Sequence, residues 1–336
     1  MGQAAVVPAF SARRRVITPL AWWSLGGFVA VDLIWLSVSP LRFASSNLWM
    51  MGKTTLVMAC AFCVLPLILR RLEGDLSKTA SGIRIAAYRL DVLARVAAFT
   101  VCSGIAAGTY MYLATSAALP LQDARLASLD RALGFDWPAF LASANASPLI
   151  STVLAAAYHS ALPQMLALYL LLCFSGRERR LAEFLALISV TSVVVGALML
   201  LVPAAGAYAH FHPPRELFDG FGAKAGMWHY ETLIRLRSQA APSLDFAQME
   251  GLVTFPSFHT VLAIITAYAF RGIRFVTLPA VILNGIVIVS TLPEGGHYLV
   301  DVIAGAAIAV AGIALVRWER SGWRTRSLWL LRVQRE

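Results

Sequence analysis

The chain has 336 residues, of which 59% are hydrophobic and only 14% charged, and its mean hydropathy is +0.70. That composition excludes an ordinary soluble domain and requires an all-α integral membrane protein crossing the bilayer several times. The net charge of +10 would suit nucleic acid, but the placement of the basic residues accounts for it with no nucleic-acid partner.

Taken in order, the first long apolar stretch starts near Leu20, after Arg13, Arg14 and Arg15. It holds Trp22, Trp23, Asp32 and Trp35 and lacks a clear small-residue cleavage site, so it reads as a retained first span. Cys60, Cys63, Cys102 and Cys173 all fall in apolar runs, which implies no disulfide framework. Hydrophobicity predicts about eight transmembrane helices, near 20–38, 52–69, 91–118, 148–174, 181–202, 252–270, 275–292 and 297–316. Each approaches the roughly 20 residues needed to cross about 30 Å of hydrocarbon. The expected organisation is an N-terminal membrane segment over 1–90 with two helices, a membrane core over 91–316 and a basic cytoplasmic tail over 317–336.

Charge sets the direction. With the N-terminus in the cytoplasm, nineteen lysines and arginines fall on that side and eight on the other. The bias predicts cytoplasmic N- and C-termini and places the loops 119–147 and 203–251 outside, in the plasma (inner) membrane of its cell. Leu126, Leu129, Leu133 and Phe140 in the first of these loops suggest an amphipathic helix lying at the surface. In the fourth span, Tyr158-His159-Ser160 forms a polar cluster, and a histidine bonded to a neighbouring helix's carbonyl is the preferred reading. The second loop carries His210, His212, Arg215, Lys224 and His229; its histidines have no accompanying cysteine and no zinc-like spacing, so no metal is expected.

The chemistry concentrates in residues 255–305. One apolar run starts at Pro256-Ser257-Phe258-His259, turns at Arg271-Gly272-Ile273-Arg274, and returns to Gly295-Gly296-His297-Tyr298-Leu299-Val300-Asp301. A hairpin across the membrane brings His259 and His297 to one side. His297 and Asp301 are spaced i,i+4, so a carboxylate can bond one ring nitrogen, fix the tautomer and free the other as nucleophile or base. His259, from another helix, can act as the acid for a leaving group. Both histidines sit near helix N-termini, where free N–H groups favour an anion, and Pro256 suits a first helical position. Gly295 and Gly296 allow the backbone to approach a ligand closely. A nucleophile, its orienter, an acid and an anion cradle point to phosphoryl transfer. On straight helices, though, His259 would lie roughly 12 Å deeper than His297 when measured from the cytoplasmic arginines.

These residues resemble the type 2 phosphatidic acid phosphatase superfamily, whose second and third motifs read PSGH and SRxxxxxHxxxD. Pro256-Ser257-Phe258-His259, Ser290-Thr291, His297 and Asp301 stand at that family's spacing, with Phe258 in place of glycine and Thr291 in place of arginine. No KxxxxxxRP first motif is present. The branch most similar is that of the inositol phosphorylceramide synthases, whose resemblance extends to Asp130-Arg131-Ala132-Leu133-Gly134-Phe135-Asp136-Trp137 and to Val202-Pro203-Ala204-Ala205-Gly206-Ala207-Tyr208. The resemblance implies a six-helix core bundle. It also implies a phosphohistidine on His297, Asp301 as its orienter, His259 as general acid and Ser257 holding phosphoryl oxygens. The substrate would be a phospholipid or lipid phosphate, the acceptor a lipid hydroxyl or water, with no metal or other cofactor. Arg215 or Lys224 would replace the missing arginine. The rival expectation is a lipid-binding or transport protein without catalysis.

Overall fold

A computed structural model describes residues 16–333, with side chains through Glu319, and these residues form thirteen α-helices and one two-residue parallel strand pair. The Arg13–Arg15 cluster and the side chains of the basic tail lie outside the described residues.

Three helices open the chain: α1 (Pro19–Val38), α2 (Ser46–Arg71) and α3 (Lys78–Ser116). Thr18 caps α1 through a 3.2 Å bond from the Ala21 N–H, and Ser77 caps α3 through 3.1 Å from Ala80 N–H, each satisfying an orphan donor of a first turn. α2 buries only Asn47 and Leu69, so it is apolar nearly all round and offers its sides to lipid. Asn47 is its anchor: the side chain donates to Leu244 O at 2.8 Å and accepts from Phe246 N–H at 2.8 Å. Next to it, β1 (Arg42–Phe43) pairs with β2 (Ser243–Leu244). The N-terminal helices are thus tied to the chain two hundred residues away. α3 runs unbroken through residue 90.

The connection 119–147 forms α4 (Asp123–Ala132) and α5 (Trp137–Asn145), followed by α6 (Pro148–His159), α7 (Ala161–Phe174) and α8 (Glu178–Leu201). The span expected over 148–174 is interrupted at Ser160. Pro163 has no N–H to offer the His159 carbonyl four residues back, so the helical ladder is broken there. α8 is the central post. Half of its apolar stretch is buried, and it packs against α1, α3, α11 and α13. The rest of the chain is α9 (Ala207–Phe211), α10 (Tyr230–Ser238), α11 (Phe258–Phe270), α12 (Thr277–Ser290) and α13 (Leu299–Val333).

Five helices are long and apolar enough to span a membrane: α1, α2, α3, α8 and the Leu299–Glu319 part of α13. A sixth is reached if α5 and α6, bent by 108°, count as one. The expected eight are therefore not matched by length. α7, α11 and α12 hold 14, 13 and 14 residues, about 20 Å each at 1.5 Å per residue. The tail expected at 317–336 continues α13 as helix to Val333.

Two apolar clusters matter for the site. The larger fills the space among α3, α7, α8, α11 and α13 around Phe99, Leu172, Phe184, Val261 and Ile265. The second lies at the end of the bundle that carries the α12–α13 loop, around Trp137, Leu141, Tyr208, Phe221 and Tyr298. Because Leu126 and Trp137 are buried in this second cluster while Leu129 and Leu133 face out, α4 and α5 do not merely lie on the surface. They are the lid of the α12–α13 loop.

Candidate functional site

α11 begins at Phe258, with Ser257 as its N-cap; the Ser257 hydroxyl accepts from Thr260 N–H at 3.3 Å. Pro256 therefore stands one residue before the cap rather than at the first helical position. His259 occupies the first turn. Its ring stacks on Tyr158 at 4.4 Å between centroids, and the Tyr158 hydroxyl lies 3.4 Å from His259 Nδ1. The expected offset in depth between the histidines is absorbed at the opposite end of α11. The Ser257 N–H donates to the Asp301 carbonyl at 3.0 Å, which levels the first turns of α11 and α13. Arg271, at the far end of α11, turns inward to the buried Glu183 of α8 at 2.7 Å.

His297 lies two residues before α13 and is 3% exposed; Asp301, in the first turn, is fully buried. His297 Nδ1 sits 3.3 Å from Asp301 Oδ2, and the same oxygen accepts the Tyr298 N–H at 2.9 Å. An oxygen already accepting one N–H faces the ring as an acceptor, so Nδ1 carries the proton and Nε2 the lone pair. Burial lowers the His297 pKa to about 4, with the Thr254 backbone acting in the opposite direction. The ring is neutral at physiological pH.

The loop between α12 and α13 is held by residues far away in sequence. Asp130 accepts the Leu299 and Val300 N–H groups, each at 2.9 Å, and so caps α13 from α4. The Trp137 indole donates to the His297 carbonyl at 3.0 Å. Asp123 accepts from Ala205 and Gly206 N–H at 2.9 Å and from the Tyr298 hydroxyl at 3.1 Å. Tyr208 donates to the Pro293 carbonyl at 2.6 Å, and Ala207 N–H to Gly296 O at 2.8 Å. Gly296, at φ +69°, lies against Gly226, whose Cα a Cβ there would meet at 2.7 Å. Its freedom serves packing of the 203–251 segment, whereas Gly295 lines the cavity between the Tyr158 and His297 rings, which a Cβ there would meet at 2.9 and 3.0 Å.

A cavity of about 420 Å³ begins at these residues and descends between α1, α3, α7, α8 and α11. His229, His259, His297, Thr254 and Gly295 border one end of it. His229 is buried, sits 3.0 Å from the Ala205 carbonyl through Nε2, and has its pKa lowered by that burial. No lysine or arginine among the described residues lines the cavity. Arg215 is exposed and donates to the Gly222 and Phe221 carbonyls at 3.2 and 3.0 Å, and Lys224 is exposed. Ser257 is fully buried and also accepts from the Thr260 hydroxyl at 3.1 Å. Thr291, where the resembling family has arginine, is fully buried and donates to Ile288 O at 2.7 Å. That position closes a helix end.

Sequence reasoning missed Glu294. Its side chain is fully buried, with Oε1 3.1 Å from His159 Nε2 and Oε2 without a hydrogen-bond partner among the described residues. His159 thus meets a carboxylate, not the backbone carbonyl expected of it. The partners lie 135 residues apart, and no local spacing signals the contact. Among the described residues no three His, Cys, Asp or Glu side chains are grouped for a metal; His210, His212 and His229 are not brought together as ligands.

A family model described as the PAP2 superfamily matches residues 124–315, more than half of the chain, from α4 into α13 and across His259, His297 and Asp301. No curated protein and no solved structure matches. The chain belongs to the PAP2 superfamily.

Proposed function

We propose that the protein is a membrane-embedded enzyme that breaks a phosphate ester of a lipid through a phosphohistidine on His297. Membership of the superfamily supports a lipid phosphatase or phosphotransferase type of function. The observation that carries the rest is the buried His297–Asp301 pair facing His259 across the outer end of one apolar cavity. His297 Nε2 attacks phosphorus, the bond to the leaving oxygen breaks, and His259, held as the imidazolium by the phosphate anion bound beside it, donates its extra proton to that oxygen. His259 then takes the proton of the incoming hydroxyl as its oxygen displaces Nε2, which restores both rings. First-turn N–H groups of α11 favour the phosphoryl oxygens, those at the start of α13 being taken by Asp130 and Asp301, and Ser257 holds the first turn of α11 in place. Arg215 and Lys224, exposed on the segment above the loop, attract the anionic head group from the rim rather than grip it. No step requires a metal.

An incoming lipid hydroxyl makes the enzyme a head-group transferase, as the likeness to inositol phosphorylceramide synthases suggests; incoming water makes it a phosphatase. Purified full-length protein in mixed micelles, given phosphatidic acid or phosphatidylinositol with and without ceramide, separates the two by whether the product is a phosphorylated acceptor or a free phosphate compound. Labelled phosphate should be trapped on protein in an acid-labile, alkali-stable linkage. His297→Ala should remove the label and lower turnover by about 10³-fold or more. Turnover of every such lipid by the His297→Ala protein would sink the phosphohistidine, and no turnover by the parent would favour a lipid carrier.

A further inference from the structure

The cavity extends far below the histidines, and several of its walls come from helices outside the 124–315 family match. α3 borders it from Phe99 to Met111 and α8 from Leu185 to Met199. At 1.5 Å per residue those stretches run about 18–21 Å along the helix axes. Thr100, Gly104 and Gly108 recur every fourth residue and so share one face of α3. Opposite them, α8 contributes Ser192 and Gly196, and α1 closes the side with Leu25 and Phe28. Gly108 and Gly196 let Met249 and Tyr110 pack close against the walls, whereas Gly104 faces space. A Cβ on Gly104 would meet nothing within 4 Å, so any side chain there grows into open space.

Phe99, Thr100 and Tyr169 line the end away from the histidines, the last two joined through their hydroxyls at 3.3 Å. A cavity of about 150 Å³ holds one benzene. By that scale, 420 Å³ has room for roughly sixteen carbons, which is one lipid chain and not two. The slot is continuous with the histidines that the proposed chemistry requires.

We infer that this slot binds one hydrocarbon chain of the substrate, its phosphate at His259 and His297 and its tip at Thr100 and Tyr169, and that α1 and α3 thereby select chain length. The inference rests on the proposed lipid chemistry for the identity of the ligand. Gly104 lies one turn, about 6 Å, nearer the histidines than Thr100. Gly104→Leu should therefore block long chains at a shorter length than Thr100→Leu does.

The test uses the full-length protein in mixed micelles and lysophosphatidic acids with chains of eight to eighteen carbons. The ratio of kcat/KM for sixteen carbons to that for eight should fall about tenfold or more in Gly104→Leu and less in Thr100→Leu. Equal losses at every length, or no change in the ratio, overturn the slot. A second measurement does not need turnover. A lysophosphatidic acid carrying a photoreactive group at the chain tip should label the Phe99–Met111 and Leu185–Met199 stretches of the His297→Ala protein. Labelling confined to the lipid-facing α2 overturns the inference. Slot labelling by a parent protein without activity upholds the slot and sinks the catalytic reading alone.

Discussion

At the scale of single residues, the site depends on one imidazole kept neutral and aimed. Burial lowers His297 to about 4, against an ordinary histidine value near 6.5. A lowered pKa means that the lone pair is present above pH 4 and lost only below it. The acid limb of kcat/KM should therefore lie near pH 4 and not at 6.5. A phosphodiester substrate is the right probe, since a monoester's second ionisation near 6 would impose its own limb. An acid limb at 6.5 or above would show that the free enzyme holds His297 as an ordinary solvated histidine. The His297–Asp301 contact was legible in the sequence from its four-residue spacing, although His297 lies just before the helix rather than on it. Glu294, His229 and the pairing of Tyr158 with His259 were not. Each depends on a partner brought by the fold from more than twenty positions away, and residue type alone does not name that partner.

At the scale of elements, α4 and α5 govern the start of α13. A helix N-terminus buried without a cap leaves orphan N–H groups, and here a carboxylate from another helix satisfies two of them. Asp130→Ala should cost about 1–3 kcal/mol, since buried donors are left unpaired, and should lower kcat at least tenfold because His297 lies two residues before the helix it caps. Asp130→Asn keeps one acceptor oxygen and should recover part of both. Thermal unfolding and kcat of the two variants check this, and a kcat unchanged in Asp130→Ala would show that the cap does not position His297. The periodic leucines of this segment pointed to a surface helix, and Leu129 and Leu133 are indeed exposed. What periodicity could not convey is that Asp130 and Trp137 are buried against the α12–α13 loop. A charged residue in a helix pattern reads as solvated until a tertiary donor is seen. The eight expected spans are not matched by helix length for a related reason. Hydrophobic runs locate apolar segments but not where a helix ends, and a proline, a serine cap and an inward-turned arginine shorten α7 and α11.

At the scale of the whole molecule, the contacts sort the connections between two ends of the bundle. Arg84 donates to the Leu72 carbonyl at 2.6 Å and Arg89 pairs with Glu178 at 3.3 Å. Arg180 bonds the Arg271 carbonyl, so the 71–78, 175–180 and 271–276 connections share one basic end. The α12–α13 loop, α4, α5 and the 203–251 segment share the other, with the histidines. Positive residues favour the cytoplasmic side, so the expected outcome is a histidine end that faces outward. Lys224 is exposed on the histidine side and Asp75 on the basic side, so each is a clean reporter. In a variant with Cys60, Cys63, Cys102 and Cys173 replaced by alanine, Lys224→Cys should react with an impermeant maleimide in intact cells. Asp75→Cys should react only after the membrane is opened. The opposite pattern would turn the protein over and put phosphoryl transfer at the cytoplasmic face; labelling of both in intact cells would mean that the two connections share a side, against the contacts that separate them.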